Sequence, residues 1–269
     1  MDGVVRAWVD GWVVSRGAAP PEREPWGFTV DVGLVAQVSR HVFAALGDDV
    51  DEEAVRKVAD GVTGTGVWLK VFQNPEVVGA WLGEGWWVDP EPGYLMTIPL
   101  TTTQAGRTGR LPDLVAGTGT PKAEQTDAPA AGRTNGPQTR RTGTPGTGPA
   151  DAPAAARMNV PDGYRMRVWS AGGARRMLVT APDGSLAARG QVAPTGATAV
   201  FDQIETAPAH RRRGLGSVVM RTLQASAAAE GAETGVLAGT PAGRALYESL
   251  GWHVEAPLTS AKFVGPGAG

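Results

Sequence analysis

The chain has 269 residues, 42% apolar and 19% charged, with a formal net charge of −2; that composition supports one large or two modest cores and excludes a wholly unstructured chain. It has no cysteine, which excludes disulfides, thiolate nucleophiles and thiolate metal sites and makes a reducing cytoplasm the expected setting. Residues 1–100 carry 7 basic and 15 acidic side chains and residues 158–269 carry 11 and 8, so the two ends differ electrostatically although the net charge is small.

The opening MDGVVRAWVD has no basic segment followed by an apolar run, and no apolar stretch approaches the ~18 residues a bilayer span needs. No membrane partner is expected. Residues 4–16 (VVRAWVDGWVVSR) are rich in Val and Trp and read as a strand. The Pro-rich AAPPEREP breaks it, and Trp26–Val32 reads as a second strand. Leu34, Val35, Val38, Val42, Phe43 and Leu46 fall at helical spacing, with Gly47 as a stop. A further helix is predicted from Asp51, where DEE complements the helix dipole and Gly61 closes the apolar face of Ala54, Val55, Val58 and Ala59. VWLKVF reads as a strand, Pro75–Leu82 as a short helix, and EGWWVDPEPGYLMTIPL as one or two strands. Seven of the nine tryptophans lie in this first hundred residues. Alternating with Val, they read as packing residues rather than as a ligand pocket.

From residue 101 to 157 the composition turns to Gly, Pro, Ala and Thr. Such a segment buries too little to offset its chain entropy and is expected to be a disordered linker. Its arginines lack interleaved aromatics, so nucleic acid is not an expected partner. Order is expected to resume in a C-terminal domain, residues 158–269. YRMRVWS is a strand, RRMLVTAPDGSLAARGQVA a hairpin turning at Pro182–Gly184, and ATAVFDQIETA a long strand. Leu215, Val218, Val219, Leu223 and Ala227 mark a helix ending near Gly231. TGVLAG is a short strand, Pro241–Leu250 a helix after Thr240, and WHVEAPLTSAKFV a strand pair.

The segment Ile204–Ser217, IETAPAHRRRGLGS, runs from a strand end through a turn and three arginines into a helix start. Unpaired first-turn amides and the helix dipole favour an anion there, and phosphate is the natural guest. Gly214 and Gly216 leave the backbone open to close approach.

Arg211, Gly214 and Gly216 fit the [Q/R]-x-x-G-x-[G/A] signature of the GNAT superfamily of acetyl-coenzyme A-dependent N-acyltransferases, and thirty residues on ALYESLGW is similar to that family's A-x-x-LYExLGF segment. The resemblance implies an α+β fold, a mixed, mostly antiparallel sheet flanked by helices. It implies acetyl-CoA as co-substrate, with pantetheine along the backbone of Ile204, Thr206 and Ala207 and pyrophosphate at Arg211, Arg212, Arg213, Gly214, Leu215 and Gly216. Tyr247 matches the tyrosine that protonates the departing thiolate, a step that needs a pKa not far above the thiol's. Thr240 and Gly243 stand where the family often has Asn and Ala, so Thr240 would bind the cofactor less fully. The reaction implied is direct attack of an amine, small molecule or protein, on the thioester; a non-catalytic coenzyme A-binding module is the alternative.

A base must also take the ammonium proton. Glu205 is the first candidate, lying on the same strand as Asp202 and facing the opposite way unless a bulge intervenes. His210 and His253 are read as structural or exposed, and three scattered histidines do not suggest a metal site. The acidic N-terminal segment leans toward a cationic acceptor. The resemblance covers about residues 160–265 and lacks the two helices that usually precede the hairpin. Residues 1–100 are expected to dock on the C-terminal sheet as the missing cleft wall. Alternatively they form a degenerate copy of the same fold, since TGVWLKVFQNPEVVGAWLGEGWWV compares with TGVLAGTPAGRALYESLGWHV in element order.

Overall fold

Val5, Trp8, Val9, Trp12 and Val13 recur at helical spacing, and in a computed structural model, which describes residues 3–100 and 160–267, they form the buried stripe of helix α1 (Gly3–Arg16). The expected strand at 4–16 is therefore a helix; the burial period of 3.6 overrides the β propensity of Val and Trp. The expected helix over 34–46 is instead a hairpin, β2 (Gly27–Leu34) and β3 (Gln37–Leu46), with β1 (Glu22–Glu24) on its outer edge. Leu34 and Val35, assigned to an apolar helix face, are 61% and 99% exposed at the turn. The linker expected at 101–157 lies outside the described residues.

The next elements follow the sequence reading. Asp51 caps α2 (Glu52–Asp60), its carboxylate accepting from Glu53 N at 2.9 Å, and Gly61 ends it. Strand β4 (Val67–Phe72), α3 (Pro75–Trp81), β5 (Trp86–Val88) and β6 (Gly93–Pro99) complete the N-terminal half. The C-terminal half contains β7 (Arg165–Ala171), β8 (Ala174–Thr180), β9 (Leu186–Thr195), β10 (Thr198–Thr206), α4 (Leu215–Ala229), β11 (Thr234–Gly239), α5 (Pro241–Ser249) and β12 (His253–Phe263). The last is one strand with a register shift between Val254 and Ala256, not the expected pair.

All twelve strands belong to one sheet in the order β1-β2-β3-β4-β12-β6-β11-β10-β9-β8-β7, with β5 beside β12. The order strand, turn, helix, strand, helix, strand occurs twice, once from β3 through α2, β4 and α3 to β6, and once from β10 through α4, β11 and α5 to β12. In each copy the first two strands are parallel. The closing strands cross over: β6 lies beside β11 and β12 beside β4, and the two meet antiparallel at the centre.

Neighbouring residues of a strand point to opposite faces, and the core divides accordingly. Val200 packs with α1, together with Val30, Val42, Phe72, Leu95 and Val236. Phe201 packs on the other face with Leu215, Val219 and Leu223 of α4 and with Trp252. On that same side, Val55 of α2 and Val78 of α3 cover Phe43, Leu69 and Val71. Among the described residues helix α1 is therefore the one helix on its face of the sheet, against β9, β10 and β11 and touching β3. Gly11 permits this close approach, because a Cβ there would collide with the Val200 side chain.

Candidate active site

Strands β10 and β11 run parallel from Thr198 opposite Thr234 to Phe201 opposite Leu237, and there their pairing stops. Strand β11 continues to Gly239 along β6, while β10 continues to Thr206 along β9. A bulge between Asp202 and Glu205 causes the parting, with Gln203 at φ 54°. A wedge opens between Ile204–Thr206 and Ala238–Thr240, and the β10 edge facing it has no strand partner among the described residues. The bulge also resets facing: Asp202 lies opposite Gln191 and Glu205 opposite Arg189, two residues apart on β9, so both carboxylates share the α1 face.

The chain leaves β10 through a 3₁₀ turn, Pro208–His210, and reaches α4 in an alternating conformation, with Arg212 at φ 62° and Gly214 at φ 76°. Gln203 and Arg212 are the two non-glycine residues with positive φ among those described, and they flank the same wedge. Backbone strain of this kind is retained where the surroundings enforce it. Gly214 caps α4 without a side-chain bond, which leaves first-turn amides turned outward as an anion nest. The two glycines differ in role: a Cβ on Gly214 would meet nothing, whereas one on Gly216 would lie 2.8 Å from Leu246 Cδ2. A side chain on Gly216 would therefore have to displace Leu246, so the glycine lets α4 and α5 approach without that shift. Leu215 anchors the helix start in the core.

The three arginines also differ. Arg211 Nε donates to Thr206 O at 3.2 Å and Arg213 Nη1 to Tyr164 Oη at 3.1 Å, so both brace the loop. Arg212 is exposed and makes no hydrogen bond among the described residues. His210 Nδ1 lies 3.0 Å from Tyr164 Oη, a structural pairing, and His253 is exposed.

On the other side of the wedge, Thr240 Oγ1 accepts from Gly243 N at 3.3 Å and caps α5. Tyr247 is 7% exposed, and its hydroxyl has no hydrogen-bond partner among the described residues. Burial first, and the Asp202 carboxylate second, push its phenol up to about 12.

A cleft of about 290 Å³ opens on the α1 face at the mouth of the wedge, where Asp202, Gly239 and Thr240 form one wall. Trp8, Trp12 and Arg16 of α1 form another, and Arg40 and Lys70 line it from β3 and β4. Asp202 is held on several sides: Arg16 donates Nε to Oδ2 at 2.5 Å and Nη2 to Oδ1 at 2.8 Å, Ser15 Oγ donates to Oδ2 at 2.7 Å, and Gln203 N donates to Oδ1 at 2.8 Å. Arg40 stacks 3.9 Å from the Trp12 ring centroid, and desolvation, aided by Arg16 and opposed by Asp202, lowers it to about 9. Lys70 Nζ donates to Ser260 Oγ at 2.5 Å. Burial, then Arg40, lower its ammonium to about 7 against the pull of Asp89.

Glu205 is not part of this cleft wall; half exposed, it accepts from Arg189 Nε at 2.8 Å. Sequence reasoning did not single out Arg16, Arg40 or Lys70. The available signal was a lysine in the middle of the apolar run VWLKVF. A larger hollow, about 1350 Å³ between β3 and α2, is lined by none of the expected site residues.

Residues 155–252 match the family model described as Acetyltransferase (GNAT) family. The C-terminal region is a GNAT acetyltransferase domain. No curated protein matches the chain by sequence. Among solved structures, the chain is similar to a GCN5-related N-acetyltransferase from Kribbella flavida, with 14% identity and a TM-score of 0.51 over 98% of this chain and 96% of that one. It also aligns with a GCN5-related N-acetyltransferase-like protein from Streptococcus suis 89/1591, with 10% identity and a TM-score of 0.46 over 84% and 79% of the two chains. The first likeness extends the shared fold over both halves.

GNAT domains generally use acetyl-CoA, and the residues of this one fit such a co-substrate. The unpaired edge of β10 suits an amide-bearing arm, the outward amides before α4 suit a pyrophosphate, and Tyr247 lies behind Gly239 at the wedge. Among the described residues no group of three or more His, Asp or Glu could hold a metal, and no helix is long and apolar enough to cross a membrane.

Proposed function

We propose that the protein transfers the acetyl group of acetyl-CoA to a primary amine by direct attack within a ternary complex. The observation that most supports this reading is the wedge between β10 and β11, with an anion nest on one side and a charged cleft on the other. Acetyl-CoA supplies an acetyl group already activated as a thioester.

The backbone of Ile204, Thr206 and Ala207 pairs with the pantetheine amides. The amides of Gly214, Leu215 and Gly216 hold the pyrophosphate, Arg212 adds an ion pair, and Arg211 and Arg213 keep the loop in shape. Thr240 retains its hydroxyl proton for the cofactor, because its oxygen serves α5 only as an acceptor. Tyr247 donates a proton to the departing sulfur; as a phenol well below its pKa it carries that proton throughout the physiological range. Glu205 takes the ammonium proton through solvent from outside the cleft, on the α1 face of the sheet, exchanging its partner Arg189.

The test is thiol release from acetyl-CoA over a panel of amines, read with a thiol reagent. The cysteine-free chain contributes no background to that reagent. Thiol release matched by acetylated amine is the expected result. Tight acetyl-CoA binding with no turnover on any amine, peptide or host extract would overturn the reading in favour of a binding module.

A further inference from the structure

Arg40 and Val42 share a face of β3, and Val42 lies opposite Lys70 on β4, so Arg40 and Lys70 project together into the cleft. Each is only 9% exposed. Arg16, the third cation of the cleft, is neutralised by its two bonds to Asp202. Neither Arg40 nor Lys70 has a carboxylate within ion-pairing distance among the described residues. Arg40 uses Nε and Nη2 on the Gln37 amide oxygen, at 2.9 and 2.6 Å with that amide oriented to satisfy both, and among the described residues it makes no hydrogen bond through Nη1. The remaining carboxylates, Asp89 and Glu91, belong to the loop before β6, where the Glu91 amide engages Asp89 Oδ1 at 3.1 Å. An arginine and a lysine withdrawn from water without an ion-pair partner are costly to charge, and such a cost is tolerated where a ligand anion completes the site.

We propose that the acceptor is a small amine that also carries a carboxylate, the carboxylate held by Arg40 and Lys70 on the cleft floor and the amine turned toward the β10–β11 wedge. The proposal rests on the acetyltransferase reading for the amine and on the cleft alone for the anion. A cleft of about 290 Å³ has room for a molecule of amino-acid size. Trp8 and Trp12 provide an apolar wall for its side chain. Lys70 is faced by Arg40 from β3, Ser260 from β12, Trp68 on its own strand and Asp89 from the loop, with Arg16, Glu91 and Asp202 lining the rest. An incoming carboxylate reverses that balance and favours the charged amine of Lys70, so binding takes up a proton near neutral pH.

The experiment compares amino acids with their α-carboxamides as acceptors for the full chain, by kcat/KM. The carboxylate member of each pair should be preferred about 10- to 100-fold, as for hydrogen bonds to a charged group. K70M should bring the ratio toward one and K70R should preserve it. Folding is expected to survive K70M, because a buried charge is replaced by an apolar side chain of similar volume. Equal kcat/KM within the pairs, or a preference that survives both K70M and R40Q, would overturn the proposal.

A second measurement does not need turnover. Titration calorimetry with N-acetyl amino acids and their amides, in buffers of different ionisation enthalpy, should show binding of the carboxylates alone, with proton uptake that K70M abolishes. That result in a protein that acetylates nothing would sink the acetyltransferase reading and leave the anion site standing. Acetylation with no carboxylate dependence in either measurement would do the reverse.

Discussion

A Cβ on Gly243 would lie 2.9 Å from Cε2 and 3.3 Å from the hydroxyl oxygen of Tyr247, so the missing side chain one turn earlier in α5 makes room for the phenol. Gly239, at the end of β11, bounds the same ring from the other side, with a Cβ at 2.8 Å from Cε2. Helix propensity alone would make Gly243→Ala stabilising by ~1 kcal/mol. The contact reverses that expectation: the variant should gain no thermal stability and should lose turnover by displacing the ring. Melting temperature and kcat measured together check it. A more stable and fully active variant would show that the ring position is immaterial.

Tyr247→Phe separates the acid from the ring. General acid catalysis contributes about 10²- to 10⁴-fold, so kcat should fall within that range while acetyl-CoA affinity stays the same. Because burial pushes the phenol up to about 12, Tyr247 should impose no alkaline limb on the wild-type profile below about pH 10. The pH dependence of kcat, with equilibrium binding of acetyl-CoA, tests both statements.

Lys70 gives stability a pH dependence of definite sign. Burial, then Arg40, lower its pKa from 10.5 to about 7. The unfolded chain therefore binds a proton that the folded chain releases between those values, and stability should rise as pH increases from 7 toward 10.5. Lys70→Met removes this term. The variant should be more stable than wild type by ~1–4 kcal/mol near pH 6, with the gain shrinking as pH approaches 10.5. Urea melts at several pH values test it, and a constant difference would refute the assignment.

Asp202 fastens the end of α1 to β10 through Arg16 and Ser15, and Gln191 Nε2 reinforces the junction by donating to Ser15 O at 2.8 Å and Ser15 Oγ at 2.6 Å. Asp202→Asn weakens a bidentate ion pair whose arginine is partly exposed, so the expected cost is about 1–3 kcal/mol. Faster amide exchange over residues 13–16 should accompany it, because that turn has lost its tether. A normal melting temperature with unchanged exchange would count against the junction.

The motif residues were legible because their chemistry is local. Arg211–Gly216 fit between a strand and a helix, and LYESLGW fixed Tyr247 at one end of α5. The wedge itself was not legible, since the bulge at Gln203 leaves no compositional mark. Residues 4–16 were misread because the high β propensity of Val and Trp obscured a stripe at 5, 8, 9, 12 and 13. Residues 34–46 imitated a helical stripe although two of its members sit at a hairpin turn. The cleft floor was hidden for a different reason: Arg40 and Lys70 come from β3 and β4, whereas Ser260 comes from β12 nearly two hundred residues later, and all three lie on the face that α1 covers. The acidic total of residues 1–100 therefore gave no indication that two cations line the floor.

The crossing of β6 and β12 has a consequence for how the chain is made. On the ribosome β4 emerges early, yet its neighbour on the closing side, residues 253–263, is translated nearly two hundred residues later. Strand β6 likewise waits for β11 and β12 before either of its edges is satisfied. Neither half can finish folding before residues 253–263 have been made, and a fragment starting at residue 158 exposes both edges that β6 would occupy, open templates for aggregation. The two halves are thus sewn together by β12, and cutting that strand away should unravel the first half as surely as the second.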